Sequence, residues 1–148
     1  MRENLKRFRW LILASILVIM VSGIASAQPM QVYLDIKPGT CLNPLNVKSK
    51  GMLTIAILGT EELLVADIDW DSLRLLEDLA PIRVFEEDVS SPPESFECGD
   101  CPGLEPDGFP DLVLKFKTEE VVRELGLWSD DLTPLSLTGS LLDGISAG

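Results

Sequence analysis

The sequence contains no histidine. That removes the Ser-His and Cys-His pairs that activate a nucleophile. It also removes a common zinc ligand. Basic residues are scarce, 12 against 24 acidic ones. A chain of that sign repels nucleic acid and anionic membranes, so neither is an expected partner. Cysteine is limited to Cys41, Cys98 and Cys101, too few for a zinc site unless a carboxylate such as Asp100 joins. There is no glycine-rich phosphate loop. No apolar run reaches the ~20 residues of a membrane-spanning helix.

What is present begins with an export signal. Arg2, Lys6, Arg7 and Arg9 precede an uncharged apolar run over residues 10–24. Ala25-Ser26-Ala27 then supplies the small residues a signal peptidase requires, with cleavage between Ala27 and Gln28. The alternative is an uncleaved N-terminal anchor. The signal holds four of the basic residues and one of the acidic ones. Residues 28–148 therefore keep 8 basic and 23 acidic residues, a net charge of −15 over 121 positions. That length fits one domain with a real core. The expected location is secreted, or in the periplasm or cell envelope, with no membrane association after cleavage. The chain is not expected to be an enzyme. With so many acids, carboxylate pairs arise by composition alone and do not argue for a hydrolase.

Hydrophobic periodicity gives mostly strands. Residues 31–36 (QVYLDI) alternate, as a half-buried strand does. Residues 51–58 (GMLTIAIL) are nearly continuous in apolar character, which predicts a strand covered on both faces. Residues 61–64 read as a short helical turn, and 73–75 and 82–85 as short strands. Residues 111–117 (DLVLKFK) place Leu112, Leu114 and Phe116 on one face. Thr118 reads as a helix N-cap with Glu119 and Glu120 in the first turn, and Gly126 as the C-cap glycine. Residues 135–142 form the last strand, before an Asp143-Gly144 turn. Together they predict a mostly β, Ig-like or Greek-key β-sandwich with one short helix.

Residues 88–110 read as loop, too long for a plain connection. Within them Asp107-Gly108-Phe109-Pro110-Asp111 offers two carboxylates, a turn glycine and the Phe109 carbonyl, which is calcium-ligand chemistry. In EF-hand terms Glu105, Asp107, Gly108 and Asp111 fall at positions 3, 5, 6 and 9. Gly103 and Leu114 then occupy the first and twelfth places, so the pattern is half present. Glu87 and Asp88, across the loop, complete the expected Ca²⁺ set. The other reading is a solvated turn whose aspartates cap strand ends. Asp67-x-Asp69-x-Asp71 has similar spacing but fits a strand edge with acids outward. Cys98-Gly99-Asp100-Cys101 reads as a local disulfide stapling the loop, with a bond from Cys41 to one of the pair as the alternative. Trp128, Phe96 and Phe109 are the aromatics a carbohydrate-binding module would use.

Residues 32–60 (VYLDIKPGTCLNPLNVKSKGMLTIAILGT) resemble a family of bacterial and archaeal exported domains. Its members carry an IKPGS-x-PN-x-IN-x-x-S-x-G-x-x-PVAILGT-like stretch and an acidic DVNGDG-x-x-DL-like loop. Matching positions run through 36–39, Asn43, Pro44, Asn46, Ser49, Gly51, 56–60, Glu87, Asp88, Asp107, Gly108, Asp111, Leu112, Thr118 and 137–139. The resemblance implies a β-sandwich accessory module attached to surface or secreted proteins, with no known activity. Three departures stand out. Thr54 replaces a usual proline. An insertion, 89–106, splits the acidic loop. The family continues into one more strand, sometimes bearing a cysteine that would pair with Cys41, so the expectation here is a module lacking its last strand. The expected role is structural or adhesive, on a cell-surface protein or polysaccharide. The alternatives are a carbohydrate-binding module and, more remotely, a hydrolase.

Overall fold

The two most apolar stretches become neighbouring strands at the centre of a sheet. In the computed structural model, which describes residues 29–41, 43–94, 101–126 and 133–142, these are β2 (Met52–Ile57) and β5 (Asp111–Lys117). They pair antiparallel, from Met52 opposite Lys117 to Ile57 opposite Leu112. β1 (Leu34–Ile36) adds to the free edge of β2, and β4 (Arg83–Glu87) to that of β5. The four-stranded order is β1-β2-β5-β4. A second sheet pairs β3 (Ile68–Leu75) with β6 (Leu137–Leu141), also antiparallel. The chain divides into two compact units, Met1–Met30 and Gln31–Gly148; all of these elements lie in the second.

The fold is mostly β, two antiparallel sheets and one short helix in a sandwich-like arrangement. Strand alternation explains how the sheets meet. Leu53, Ile55, Ile57, Leu112, Leu114 and Phe116 point to one face of the larger sheet and are buried there. Ile68, Leu73 and Leu75 of β3 cover them, with Leu63 and Val65 from the preceding segment. Phe116 is among the largest fully buried side chains.

The helix α1 (Thr118–Leu125) follows β5 without a loop. Val121 packs into the core, and Gly126 ends the helix at φ 62°, a left-handed conformation natural to glycine. The N-cap expectation is corrected. Lys117 occupies the cap position, and no side chain bonds the first turn. Thr118 is buried instead, and its N–H bonds the Gly51 carbonyl at 3.0 Å. Sheet continuity sets this start, since β5 runs directly into the helix.

Two other boundaries differ from the sequence reading. The helical turn falls at Val65–Asp67, not 61–64, and is 3₁₀. The strand expected at 73–75 starts at Ile68 and carries a bulge between Asp69 and Arg74. At that bulge Asp69 Oδ1 accepts the Asp71 N–H at 3.2 Å, and Ser72 Oγ donates to the Asp69 carbonyl at 2.6 Å. The shift interrupts the alternation, so the sequence shows this strand in two pieces, a strand edge at 67–71 and a short strand at 73–75. The signal at 1–27, Phe96, Cys98, Trp128 and the Asp143-Gly144 turn lie outside the described residues.

Candidate functional site

The acidic loop forms the neck of the long connection between β4 and β5, residues 88–110, called the insertion below, where its two ends return to the sheet. β4 and β5 bring Glu87 opposite Asp111. Beyond them Ser91 and Gly103 form a two-way backbone bridge, Gly103 N–H to Ser91 O at 2.9 Å and Ser91 N–H to Gly103 O at 3.3 Å. A Cβ at Gly103 would meet the Ser91 hydroxyl, which would have to rotate away.

Two aspartates tie this neck from opposite sides. Asp88 reaches forward and accepts the N–H groups of Asp107 (3.1 Å) and Gly108 (2.8 Å), one on each carboxylate oxygen. Asp107 Oδ1 accepts the Phe109 N–H at 3.0 Å, closing a turn in which Gly108 has φ 97°. Asp111 reaches backward. Its Oδ2 accepts the N–H groups of Val89 (2.9 Å) and Ser90 (3.2 Å), and its Oδ1 that of Gly59 (2.9 Å). Gly59 lies against this point because a Cβ there would meet the Pro110 carbonyl. One carboxylate therefore joins β2, β5 and the insertion.

The expected calcium set does not assemble as a ligand cage. Asp88 and Asp107 face backbone N–H groups, and Asp111 is fully buried. Glu87 is exposed on the strand edge, and Phe109 is partly buried. Among the described residues no three carboxylates or thiols are placed to share a metal ion. Backbone donors are the stronger local demand, because a loop returning to a sheet must satisfy its N–H groups.

The cysteines pair differently from the first expectation. The disulfide joins Cys41 to Cys101 across 60 positions, with Cα atoms 5.6 Å apart, and not Cys98 to Cys101. It ties the segment after β1 to the returning limb of the insertion. The sequence alternative, Cys41 to one of the pair, is the arrangement found.

Beneath the neck lies the second face of the larger sheet. Ala56, Leu58 and Val113 are buried there, flanked by Tyr33, Phe85 and Val89. Asp35 stands in the same row, opposite Ala56, and is 1 % exposed. Ser90, from the insertion, is 0 % exposed, as is Asp111. Burial pushes the Asp35 carboxyl above its ordinary 3.8; the nearby Ser90 hydroxyl pulls it back, and the Asp111 charge raises it further. Burial likewise raises Asp111, against the N–H groups of Val89, Gly59 and Ser90, and Asp88 adds to the rise. Asp35 Oδ1 and Ser90 Oγ are both buried, and the Ser90 hydroxyl is the hydrogen-bonding group beside the Asp35 carboxyl.

Sequence reasoning missed Asp35, Ser90 and Gly59. The alternation of QVYLDI assigned Asp35 to a solvent face. The signal lay in β2: its apolar character on both faces requires that the face holding Asp35 be covered.

The chain matches no protein-family model, no curated protein and no solved structure. The likeness to exported accessory domains therefore stands on its motif residues.

Proposed function

We propose that this chain is an exported, non-catalytic structural module of the cell envelope or extracellular medium, with an adhesive role on a surface protein or polysaccharide. The observation that carries this reading is how the neck is fastened. The carboxylates and cysteines of the loop hold the insertion to the sandwich: Asp88 and Asp111 through backbone N–H groups, Cys41 and Cys101 through a disulfide. A disulfide is compatible with an oxidising compartment. Among the described residues no helix is long and apolar enough to cross a membrane. The Asp35–Asp111 pair is sealed from solvent, where no polymer substrate reaches.

The test is to export the full chain from a bacterial host and follow the product. The expected mature N-terminus is Gln28. The product should sediment with washed envelope or insoluble polysaccharide and release no sugar or peptide from either. Retention on one polysaccharide, reversed by its free sugar, would replace this reading with a carbohydrate-binding module. Release of reducing sugar would replace it with a hydrolase.

A further inference from the structure

We infer that the Asp35 carboxyl and the Ser90 hydroxyl form a latch tightened by acid, which holds the first limb of the insertion, residues 88–91, against the second face of the larger sheet most firmly when Asp35 carries a proton. The inference goes beyond the proposed adhesive role and does not depend on it.

The latch stands where two separate segments meet. Asp35 lies on β1, opposite Ala56 of β2, beside the apolar patch of Ala56, Leu58 and Val113. Ser90, from the insertion, brings its hydroxyl beside that carboxyl, and both residues are buried. The two buried aspartates of this face are served differently. Three backbone N–H groups turn to Asp111, and donors of that kind favour the ionised form. Asp35 has one neutral hydroxyl and, among the described residues, no backbone donor. A carboxyl buried without a cation or several donors keeps its proton instead.

The charged groups around Asp35 are engaged elsewhere or exposed. On β1, Lys37 donates its ammonium to the Pro44 carbonyl at 3.0 Å. On β5, Lys115 donates to the Thr54 hydroxyl of β2 at 2.6 Å. β2 itself carries no titratable side chain. Arg83 and Glu87 of β4 are exposed. Asp88, at the root of the limb, accepts the N–H groups of Asp107 and Gly108. Tyr33 flanks the apolar patch. The charge that acts on Asp35 is that of Asp111, and it opposes a second negative charge beside it.

Ionisation of Asp35 therefore sets two demands against each other. With the limb closed, the new charge stays buried near Asp111. With Ser90 lifted away, water reaches the carboxylate and the proton leaves to solvent, but the Val89 and Ser90 N–H bonds to Asp111 break. Closure is strongest below the ordinary 3.8 and weakens as pH rises toward the higher value of the closed form. Between those two values, opening increases about tenfold per pH unit and then levels off. β2 and β5 stay paired throughout.

The experiment uses the protein as recovered from the exporting host, labelled with ¹³C and ¹⁵N. The Asp35 carboxyl carbon is titrated by NMR from strong acid to neutral pH. Amide exchange of Val89 and Ser90 is followed over the same range and divided by the intrinsic rates. Asp35 should titrate well above the exposed aspartates. Protection of Val89 and Ser90 should fall by about tenfold per pH unit up to the Asp35 midpoint, while the amides between Leu53 and Ile57 keep theirs. Asp35→Asn, neutral at every pH, should abolish that dependence. Ser90→Ala should move the Asp35 midpoint further up, because the hydroxyl pulls it down. Should Asp35→Asn fail to fold, the wild-type titration and Ser90→Ala decide the matter. An Asp35 midpoint among those of the exposed aspartates would overturn the latch, as would protection indifferent to pH. A dependence retained in Asp35→Asn would assign the effect to Asp111 and overturn it too.

Discussion

Asp111 shows how much a single side chain can organise. Its carboxylate accepts three backbone N–H groups from two separate segments while fully buried. An asparagine keeps one acceptor oxygen but turns an N–H₂ group toward donors. Asp111→Asn should lower stability by roughly 2–3 kcal/mol, measured as a shift in the urea midpoint. Gly59→Ala should also destabilise, by about 1–3 kcal/mol, because its Cβ would push into the Pro110 carbonyl. The pH dependence follows from the raised pKa values of Asp35 and Asp111. An acid whose pKa is raised on folding binds its proton more tightly in the folded state. Their contribution is therefore full below the ordinary 3.8 and is lost as pH rises through the folded values. In metal-free buffer the urea midpoint should fall as pH climbs from there toward neutral. Asp35→Asn should flatten this slope. Comparing the two proteins cancels the general effect of acidic charge, and equal slopes would remove Asp35 from the account.

Among the elements, the insertion depends most on its covalent tie. Closing a loop of 60 residues stabilises by roughly 4 kcal/mol in the chain-entropy model. Cys41→Ser or Cys101→Ser should lower the melting midpoint strongly, and Cys98→Ser should leave it nearly unchanged. With Cys41 and Cys101 paired, peptide mapping after alkylation without reductant should place the label on the Cys98 peptide. A labelled Cys41 peptide would contradict the bond. The elements also show where sequence is legible. β2 and β5 were readable because their side chains are apolar over whole runs. The helix end was readable because Gly126 has a local conformational reason to be there. β3 is legible only as two pieces, 67–71 and 73–75, because the register shift between Asp69 and Arg74 interrupts the period. The neck was half legible. Asp107, Asp111 and Asp88 were recognised as acting together, but their partners are backbone groups, which carry no residue-type signature. Asp35 is distant in sequence and joins them only through strand pairing.

At the scale of the whole molecule, a small sandwich carries a long insertion fastened over one face of its larger sheet. The net charge of −15 on residues 28–148 makes such fastening necessary, because like charges favour expansion. Hydrogen exchange of the backbone amides in the exported protein tests this most directly. The amides of Gly59, Val89, Ser90 and Gly103 should be protected well beyond their intrinsic rates. In Asp111→Asn the first three should lose protection, while the β2–β5 amides between Leu53 and Ile57 keep theirs. Rapid exchange of Gly59, Val89 and Ser90 in the wild type would contradict the account, because the insertion would then not be held to the sheet.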